Sequence, residues 1–168
     1  MTVELRDARR SGEDSEWLTN VYPLYLHDLS EFDDGYYQLN DRGLWEPDHL
    51  PNWLQDDPDH PLIIVESGRR VGCALVNQAP SPHLQPGMDF RLSEFFILRR
   101  HRRGGIGRRA AFALFDLFRG TWEISELARN TAAIRFWRSV VGEYSGGRYL
   151  ETVGSGEVRQ IVDTRPAA

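Results

Sequence analysis

Hydrophobic and polar positions alternate along the chain with two different periods. A period of two, or a short apolar run, predicts a strand, and apolar residues at helical spacing predict a helix. Strands are predicted at residues 3–8, 62–66, 71–78, 88–98, 122–127, 146–153 and 157–163. Helices are predicted over about 14–30, 104–118 and 131–141, the first broken or kinked at Pro23 and the last ended by Gly142.

The segment from residue 31 to 61 shows no sustained period. Its Gly, Pro, Asn and Asp content predicts an irregular connection with a short helix. Connections of that length are commonly functional or disordered. Large apolar side chains argue against disorder, so the segment is expected to fold over a site. These side chains are Phe32, Tyr36, Tyr37, Leu44, Trp45 and Trp53.

The order of the predicted elements favours an α/β fold, with a mixed sheet and helices on its faces. The 168 residues fit one domain, which we assign to residues 1–164, with residues 165–168 as a frayed tail. A hydrophobic share of 40% and a charged share of 27% exclude a disordered chain.

Several features predict a cytoplasmic protein. No apolar run approaches the roughly 18 residues that a membrane span needs, and the first residues lack the apolar region of a signal peptide. The single cysteine, Cys73, excludes a disulfide framework and agrees with a reducing compartment. The five histidines show no paired metal-ligand spacing, so no metal site is expected.

Charge is unevenly distributed along the chain. Residues 1–60 hold 15 acidic residues against 4 Arg, and residues 61–168 hold 10 against 16. All 20 basic residues are Arg, and six of them lie within residues 99–109. Such a dense cluster in an acidic protein predicts a local anion site more than a nucleic-acid surface.

Glycines interrupt this cluster where the helix over 104–118 begins. Glycines at a helix start let backbone N–H groups approach an anion, so a phosphate or pyrophosphate is the expected ligand. The absence of Lys excludes a P-loop. A dinucleotide-binding pattern fits formally as Gly105-x-Gly107-x-x-Ala110 with Glu126 further on, which keeps a NAD(P)-binding oxidoreductase as an alternative.

Two ordered motifs resemble those of the GCN5-related N-acetyltransferase (GNAT) superfamily. The first is Arg-Arg-Gly-Gly-Ile-Gly at residues 102–107, which follows the long predicted strand. The second begins at Asn130 with Asn-Thr-Ala-Ala and continues to the pair Phe136-Trp137 before Gly142. The resemblance covers about residues 1–164 and is most specific over about 88–142.

The resemblance implies a mostly antiparallel sheet of about six or seven strands, splayed between strands 88–98 and 122–127. It implies acetyl-CoA as cofactor, with pantetheine in the splay, bound by main-chain groups near Ile97 and Leu98, and pyrophosphate on the amides of residues 103–108. Asn130 would contact the cofactor arm or hold the splay open, and a plain helix cap is a compatible alternative. The residues assigned to the cofactor are Ile97, Leu98, Arg102, Arg103, Gly104, Gly105, Ile106, Gly107, Arg108, Asn130, Phe136 and Trp137.

The implied activity is transfer of an acetyl group from acetyl-CoA to a primary amine in a direct ternary complex. Glu94 interrupts an apolar strand, so it is expected to act as the general base or to form a structural salt bridge. The family's usual acidic tyrosine is replaced here by Trp137. Either Tyr144 or a water protonates the thiolate, or no acid is needed.

The acidic N-terminal half predicts a cationic acceptor, a small molecule or a peptide, unless it is only a solvated surface. The acceptor residues are expected to be His27, Asp28, Asp33, Asp34, Tyr36 and Tyr37. Neither a nucleic acid nor a membrane is expected as a partner, and the resemblance admits a homodimer. The alternatives are a non-catalytic acyl-CoA-binding sensor, the oxidoreductase and a basic-loop nucleic-acid module.

Overall fold

The computed structural model describes residues 2–167, so Met1 of the predicted domain and Ala168 of the predicted tail lie outside the described residues. The strands are β1 (Val3–Asp7), β2 (Gln38–Leu39), β3 (Trp45–Glu46), β4 (His60–Glu66), β5 (Arg69–Gln78), β6 (Phe90–Ile97), β7 (Thr121–Leu127), β8 (Tyr149–Val153) and β9 (Glu157–Asp163). The helices are α1 (Gly12–Leu29), α2 (Leu50–Trp53), α3 (Ile106–Leu117) and α4 (Thr131–Ser145).

Seven strands form one mixed sheet in the order β1-β4-β5-β6-β7-β9-β8, and β2 and β3 form a separate hairpin. Only β6 and β7 run parallel to each other; the other neighbours are antiparallel. The predicted fold class is therefore confirmed. The irregular segment contains the short helix α2 as expected, together with the β2–β3 hairpin, which the sequence pattern did not indicate.

The sheet has a hydrophobic core on each face. Along β4, Leu62 and Ile64 pack with α3 and α4, whereas Ile63 and Val65 pack with α1. Both faces of β4 are thus buried, which explains why this strand reads as an uninterrupted apolar run.

Two helices differ from their predicted form. Pro23 lies inside α1 without ending it, so the predicted break is wrong. Helix α4 continues through Gly142 to Ser145, so its predicted end is also wrong. It stops where Gly146 and Gly147 both adopt positive φ angles, and the Gly147 N–H bonds the Gly142 carbonyl at 2.7 Å.

Strand β6 bulges and then separates from β7, as the resemblance implied. Leu75 pairs with Glu94 but Val76 pairs with Leu92, so Ser93 is an extra residue in the ladder. Pairing with β7 is confined to three positions, from Phe90 to Leu92 on the β6 side. Beyond Leu92 the two strands diverge and leave a V-shaped opening in the middle of the sheet.

Candidate active site

A pocket of about 350 Å³ occupies the V between β6 and β7. Its walls combine an aromatic and an acidic component. Glu94 lies on the β6 side and Glu126 on the β7 side, and Asn130, which caps α4, and Trp137 of α4 also line the pocket. Helix α1 and the loop after it contribute the remaining wall through Tyr25, Leu29, Asp33, Tyr36 and Tyr37.

Glu94 follows the bulge and is half-buried beneath α1. Burial raises the pKa of Glu94 to about 7, although the Tyr25 hydroxyl and the positive charge of Arg91 act in the opposite direction. None of the ion pairs within residues 2–167 includes Glu94, which leaves the salt-bridge alternative without support. A carboxyl that titrates near neutral pH is suited to exchange protons with a bound amine.

A second pocket of about 470 Å³ adjoins the first. Tyr36, Tyr37, Arg91, Ser93 and Glu94 line both pockets. Glu94 therefore lies where the two pockets meet. The outer wall of the second pocket is formed by His49, Asn52, Trp53, Asp57, Asp59, Asn77 and His83.

The glycine-rich loop has the geometry of an anion site. Gly105 has a φ of 76°, in the left-handed region, and precedes α3 without a side-chain cap. The first N–H groups of a helix have no partner within it, and the helix dipole adds positive potential there. A Cβ on Gly107 would lie 3.2 Å from the Phe136 ring, so a glycine also fits this close packing. These features fit a pyrophosphate.

The arginine side chains of this loop are engaged by carboxylates. Arg102 bonds Asp28 and the Ile97 carbonyl, both at 2.7 Å, and Arg108 pairs with Glu143. Arg103 is exposed and has a positive φ of 67°. The loop thus offers an anion its backbone and Arg103 more directly than Arg102 or Arg108.

Leu98 was expected to offer main-chain groups to the pantetheine. Its N–H donates instead to the Val71 carbonyl at 2.9 Å, on the neighbouring strand β5. The Ile97 carbonyl accepts from Arg102. The Leu98 N–H is therefore already used, whereas the Ile97 carbonyl oxygen has a second lone pair and can still accept from the pantetheine.

Asn130 and Trp137 both line the pocket in the V. The Asn130 Oδ1 accepts from the Ala133 N–H at 3.1 Å, and the residue also lines the pocket, so capping and ligand contact are compatible. Trp137 is buried and meets Phe95 and Phe136 edge to face. Phe136 packs at the same place against Gly107, which joins α4 to the anion loop.

Tyr144, the predicted acid, lies in a different part of the molecule. Its ring packs against Phe112 and Phe115 on α3, and its hydroxyl donates to Asp116 at 2.8 Å and accepts from Arg119. Burial and the neighbouring Asp116 raise the pKa of Tyr144 to about 12. Tyr144 does not line the V, so the structure corrects this assignment.

The predicted acceptor residues divide into two groups. Asp33, Tyr36 and Tyr37 line the pockets, and the Asp33 carboxylate accepts from the Gly35 and Tyr37 amides. The other three lie outside. Asp28 pairs with Arg99 and Arg102, Asp34 pairs with Arg129, and His27 is exposed on α1 near Trp45.

Sequence reasoning missed part of the site. Tyr25 lies one helical turn before Leu29 on the face of α1 that covers Glu94, a signal visible only once the packing of α1 is known. Glu126 was considered only as part of the dinucleotide-binding pattern, yet it lines the V. Within residues 2–167, no helix combines the length and apolar character required to cross a membrane.

Comparisons with known proteins agree with this geometry. The chain matches the acetyltransferase (GNAT) family over residues 18–142. It is similar to an acetyltransferase from Thermus thermophilus, with 19% identity, a TM-score of 0.65 and 97% coverage of both chains. A putative acetyltransferase from Salmonella typhimurium, solved with acetyl-CoA, shows 18% identity, a TM-score of 0.60 and coverage of 100% and 97%.

The ribosomal-protein-S18-alanine N-acetyltransferase from Escherichia coli is more distant in sequence. It shows 12% identity and a TM-score of 0.58, with coverage of 99% of this chain and 97% of that one. The search of curated proteins finds no match. Identities this low support the shared fold and leave the acceptor open.

A mixed sheet that opens between two parallel neighbours, beside a glycine-rich helix start, is the architecture that the resemblance to the N-acetyltransferases implied. Because the family match covers most of the chain, this protein belongs to the acetyltransferase (GNAT) family. It is an acetyltransferase with acetyl-CoA as its donor, and its family acts on amines of small molecules or proteins.

Proposed function

We propose that this protein transfers the acetyl group of acetyl-CoA directly to a primary amine of a cationic acceptor, within a ternary complex. The position of Glu94 at the junction of the two pockets carries this proposal. A donor in the V and an acceptor in the second pocket would meet at this carboxyl. Direct transfer is also supported by Cys73, whose thiol is buried and whose pKa is raised to about 12 by burial, so it is poorly suited to carry the acetyl group.

The donor side follows from the loop and the V. Acetyl-CoA carries an activated acetyl thioester and a negatively charged pyrophosphate. The pyrophosphate needs a binding site with positive potential. The amides of residues 103–108 at the start of α3 would hold the pyrophosphate, with Arg103 beside them. The V between β6 and β7 would hold the pantetheine arm, with Asn130 and Trp137 lining it.

Glu94 would accept the proton that the amine must lose. An amine attacks a carbonyl only when its nitrogen carries a lone pair, and most primary amines are protonated at neutral pH. Since the pKa of Glu94 is about 7, the carboxylate form that accepts this proton increases as the pH rises through 7. We therefore expect the rate to rise with pH over that interval.

The second pocket would bind a cation. Asp59 brings a negative charge with which no described cation pairs. Asp57 pairs with Arg9, and Arg91 also lines the pocket. Tyr36 and Trp53 bring aromatic faces that attract cations. Asp59 is held in place because it accepts from the Asn77 side chain at 2.7 Å and from the Gln78 amide at 2.9 Å. Compounds that carry a second positive charge beside the reactive amine are the expected acceptors.

The direct test combines binding with turnover. Calorimetric titration should show binding of acetyl-CoA and CoA but not NAD, and release of free thiol should identify active amines in a panel of polyamines, aminoglycosides and basic peptides. Glu94→Gln should then lower kcat by about 100-fold or more while acetyl-CoA binding is retained. Glu16→Gln, an exposed carboxyl on α1, is the matched control.

Two outcomes would contradict the proposal. Binding of acetyl-CoA without thiol release across the panel would favour the acyl-CoA-binding sensor. Undiminished turnover in Glu94→Gln would remove Glu94 from the reaction.

A further inference from the structure

We propose that Glu126 is the general acid of this transfer and protonates the thiolate as it leaves. This inference rests on the proposed function and deepens it. The two arms of the V would then carry the two proton-transfer groups of one reaction, with Glu94 on β6 and Glu126 on β7.

Glu126 lies where its side chain could contact a ligand bound in the V. The residue is 6% exposed and lines the V. Its Oε2 accepts from the Gln160 Nε2 at 3.1 Å. Its Oε1 is buried and has no hydrogen-bond partner among the described residues. A buried polar atom without a partner is costly, and a carboxyl in that state is stabilised by keeping its proton.

The charges around Glu126 keep its proton in place. Helix α4 contributes Arg138, but this guanidinium forms a bidentate pair with Glu151 of β8. Strand β9 contributes the uncharged Gln160 and the acidic Glu157. No described cation is therefore dedicated to Glu126, and two further carboxylates face it.

Burial is the main reason why the pKa of Glu126 is raised to about 8. Glu151 and Glu157 raise the pKa further, while Gln160 and Arg138 lower it. Glu126 is therefore mostly protonated at pH 7. A protonated carboxyl has one O–H donor, which an unprotonated side chain in the same place would lack.

The other candidate residues near the V are unsuited to act as the general acid. Trp137, on the same wall of the V, has an indole N–H that does not ionise in the working range. Tyr144 is held by Asp116 outside the V. Among the described residues that line this pocket, Glu126 combines burial on the β7 side with a proton that can be released near neutral pH.

The step balances with these two groups. The acceptor nitrogen bonds to the acetyl carbonyl carbon, and the carbon–sulfur bond breaks with its electron pair remaining on sulfur. Glu126 gives its proton to that sulfur. Glu94 takes two protons from the nitrogen in succession: it first takes the one that converts the ammonium into the attacking amine and passes it to solvent, and it then takes one more as the amide forms. Solvent then returns a proton to Glu126 and removes one from Glu94, so the products are the amide and the free thiol.

Glu126→Gln is the informative variant because it preserves size and hydrogen bonding to Gln160 but cannot give up a proton. We expect kcat to fall by about 100-fold at pH 7, within the range for loss of an acid catalyst. The ratio of wild-type to variant kcat should shrink about tenfold between pH 7 and about pH 9, because the wild-type Glu126 is itself ionised above a pKa of about 8. A residue that only supports the fold would give a loss that does not vary with pH in this way.

A second readout does not depend on turnover. In the unliganded protein labelled with ¹³C at glutamate carboxyls, one resonance should titrate near pH 8 and be missing in Glu126→Gln. Glu123→Gln is the matched control, since Glu123 is also buried on β7 but accepts from the Gln85 amide and does not line the V. This control should keep both the resonance and the wild-type pH profile.

The outcomes separate the two proposals. Wild-type turnover with a Glu126→Gln loss that is absent or independent of pH would overturn the role of Glu126 alone. Titration of Glu126 near its ordinary glutamate pKa of about 4.3 would do the same. No thiol release by the wild-type protein with any amine would overturn the proposed function, while the resonance near pH 8 would still establish the state of Glu126.

Discussion

Gly105 illustrates how one backbone angle prepares a ligand site. Its φ of 76° lies where side chains are unfavourable, and this turn directs the start of α3 at the position expected for the pyrophosphate. A Cβ here would approach only the end of the Arg109 side chain, at 3.1 Å. A substitution at Gly105 therefore adds backbone strain without a severe clash. A glycine of similar φ elsewhere can be used to separate the effect of strain from the loss of ligand binding.

Gly105→Glu should abolish acetyl-CoA binding, because it adds a negative charge where the pyrophosphate would lie. Gly68→Glu is the control, since Gly68 has a similar φ of 74° with open space around it, in the turn between β4 and β5. Both variants should lose about 1 kcal/mol of stability in urea unfolding. Equal loss of calorimetric acetyl-CoA binding in both would mean that strain, not charge, is responsible.

Single residues differ in how far the sequence alone could place them. Glu94 was identifiable because a carboxylate interrupts an apolar strand. Glu126 was missed as an acid because its burial depends on Gln160 and Glu151, which approach it only through the pairing of β7, β9 and β8. Tyr144 was misplaced because the rotation of α4 turns it towards α3.

At the level of elements, the bulge in β6 is tied to the acceptor pocket through β5. The Ser93 hydroxyl donates to Asn77, and the Asn77 amide donates to Asp59 at 2.7 Å. Asn77 is 2% exposed, so neither of its bonds can be replaced readily by water. The Asn77 side chain therefore links the bulge beside Glu94 to Asp59, which the Gln78 amide also holds.

Asn77→Ala should lower the free energy of unfolding by about 1–3 kcal/mol, because it leaves partners of a buried amide unsatisfied. It should also raise the acceptor KM more than the acetyl-CoA KM, as measured by steady-state thiol release. Gln78→Ala removes only a side-chain bond to His60 on the neighbouring strand β4 and should leave both KM values unchanged. An effect on the acetyl-CoA KM alone would contradict the proposed coupling.

Periodicity predicted the helices and main strands because each has a consistent apolar pattern. The exact end of α4 was not accessible in this way, since Gly142 and Gly146 are both plausible terminators. The choice depends on the conformations of Gly146 and Gly147, which adopt positive φ angles together. The V was implied by the resemblance, and the register of β6 and β7 confirms it.

In the whole molecule, acidic side chains of the N-terminal part of the chain form ion pairs with arginines of the C-terminal part. Asp28 binds Arg99 and Arg102, and Asp34 binds Arg129. These pairs neutralise acidic side chains near the site. At the second pocket Asp57 pairs with Arg9 at 3.7 Å, whereas Asp59 accepts only from uncharged groups among the described residues. Long-range attraction of a cationic acceptor should therefore depend on this pocket.

Salt should accordingly weaken use of a cationic acceptor. Raising the ionic strength from about 0.01 M to 0.1 M shortens the Debye length from about 30 Å to about 10 Å. We expect kcat/KM for a dicationic amine to fall several-fold, while a monoamine of similar size, without the second charge, changes less. Equal salt dependence for the two amines would contradict charge recognition by the second pocket.

The three-position pairing between β6 and β7 has a consequence for amide hydrogen exchange. Past Leu92 and Ile124, backbone N–H groups that point into the opening have no neighbouring strand to protect them, whereas those on the outer side of β7 are paired with β9. Exchange in deuterated water should thus alternate between fast and slow from residue to residue along Ser125–Leu127. Acetyl-CoA would slow the fast set selectively, so mass spectrometry could map the bound pantetheine arm without any acceptor.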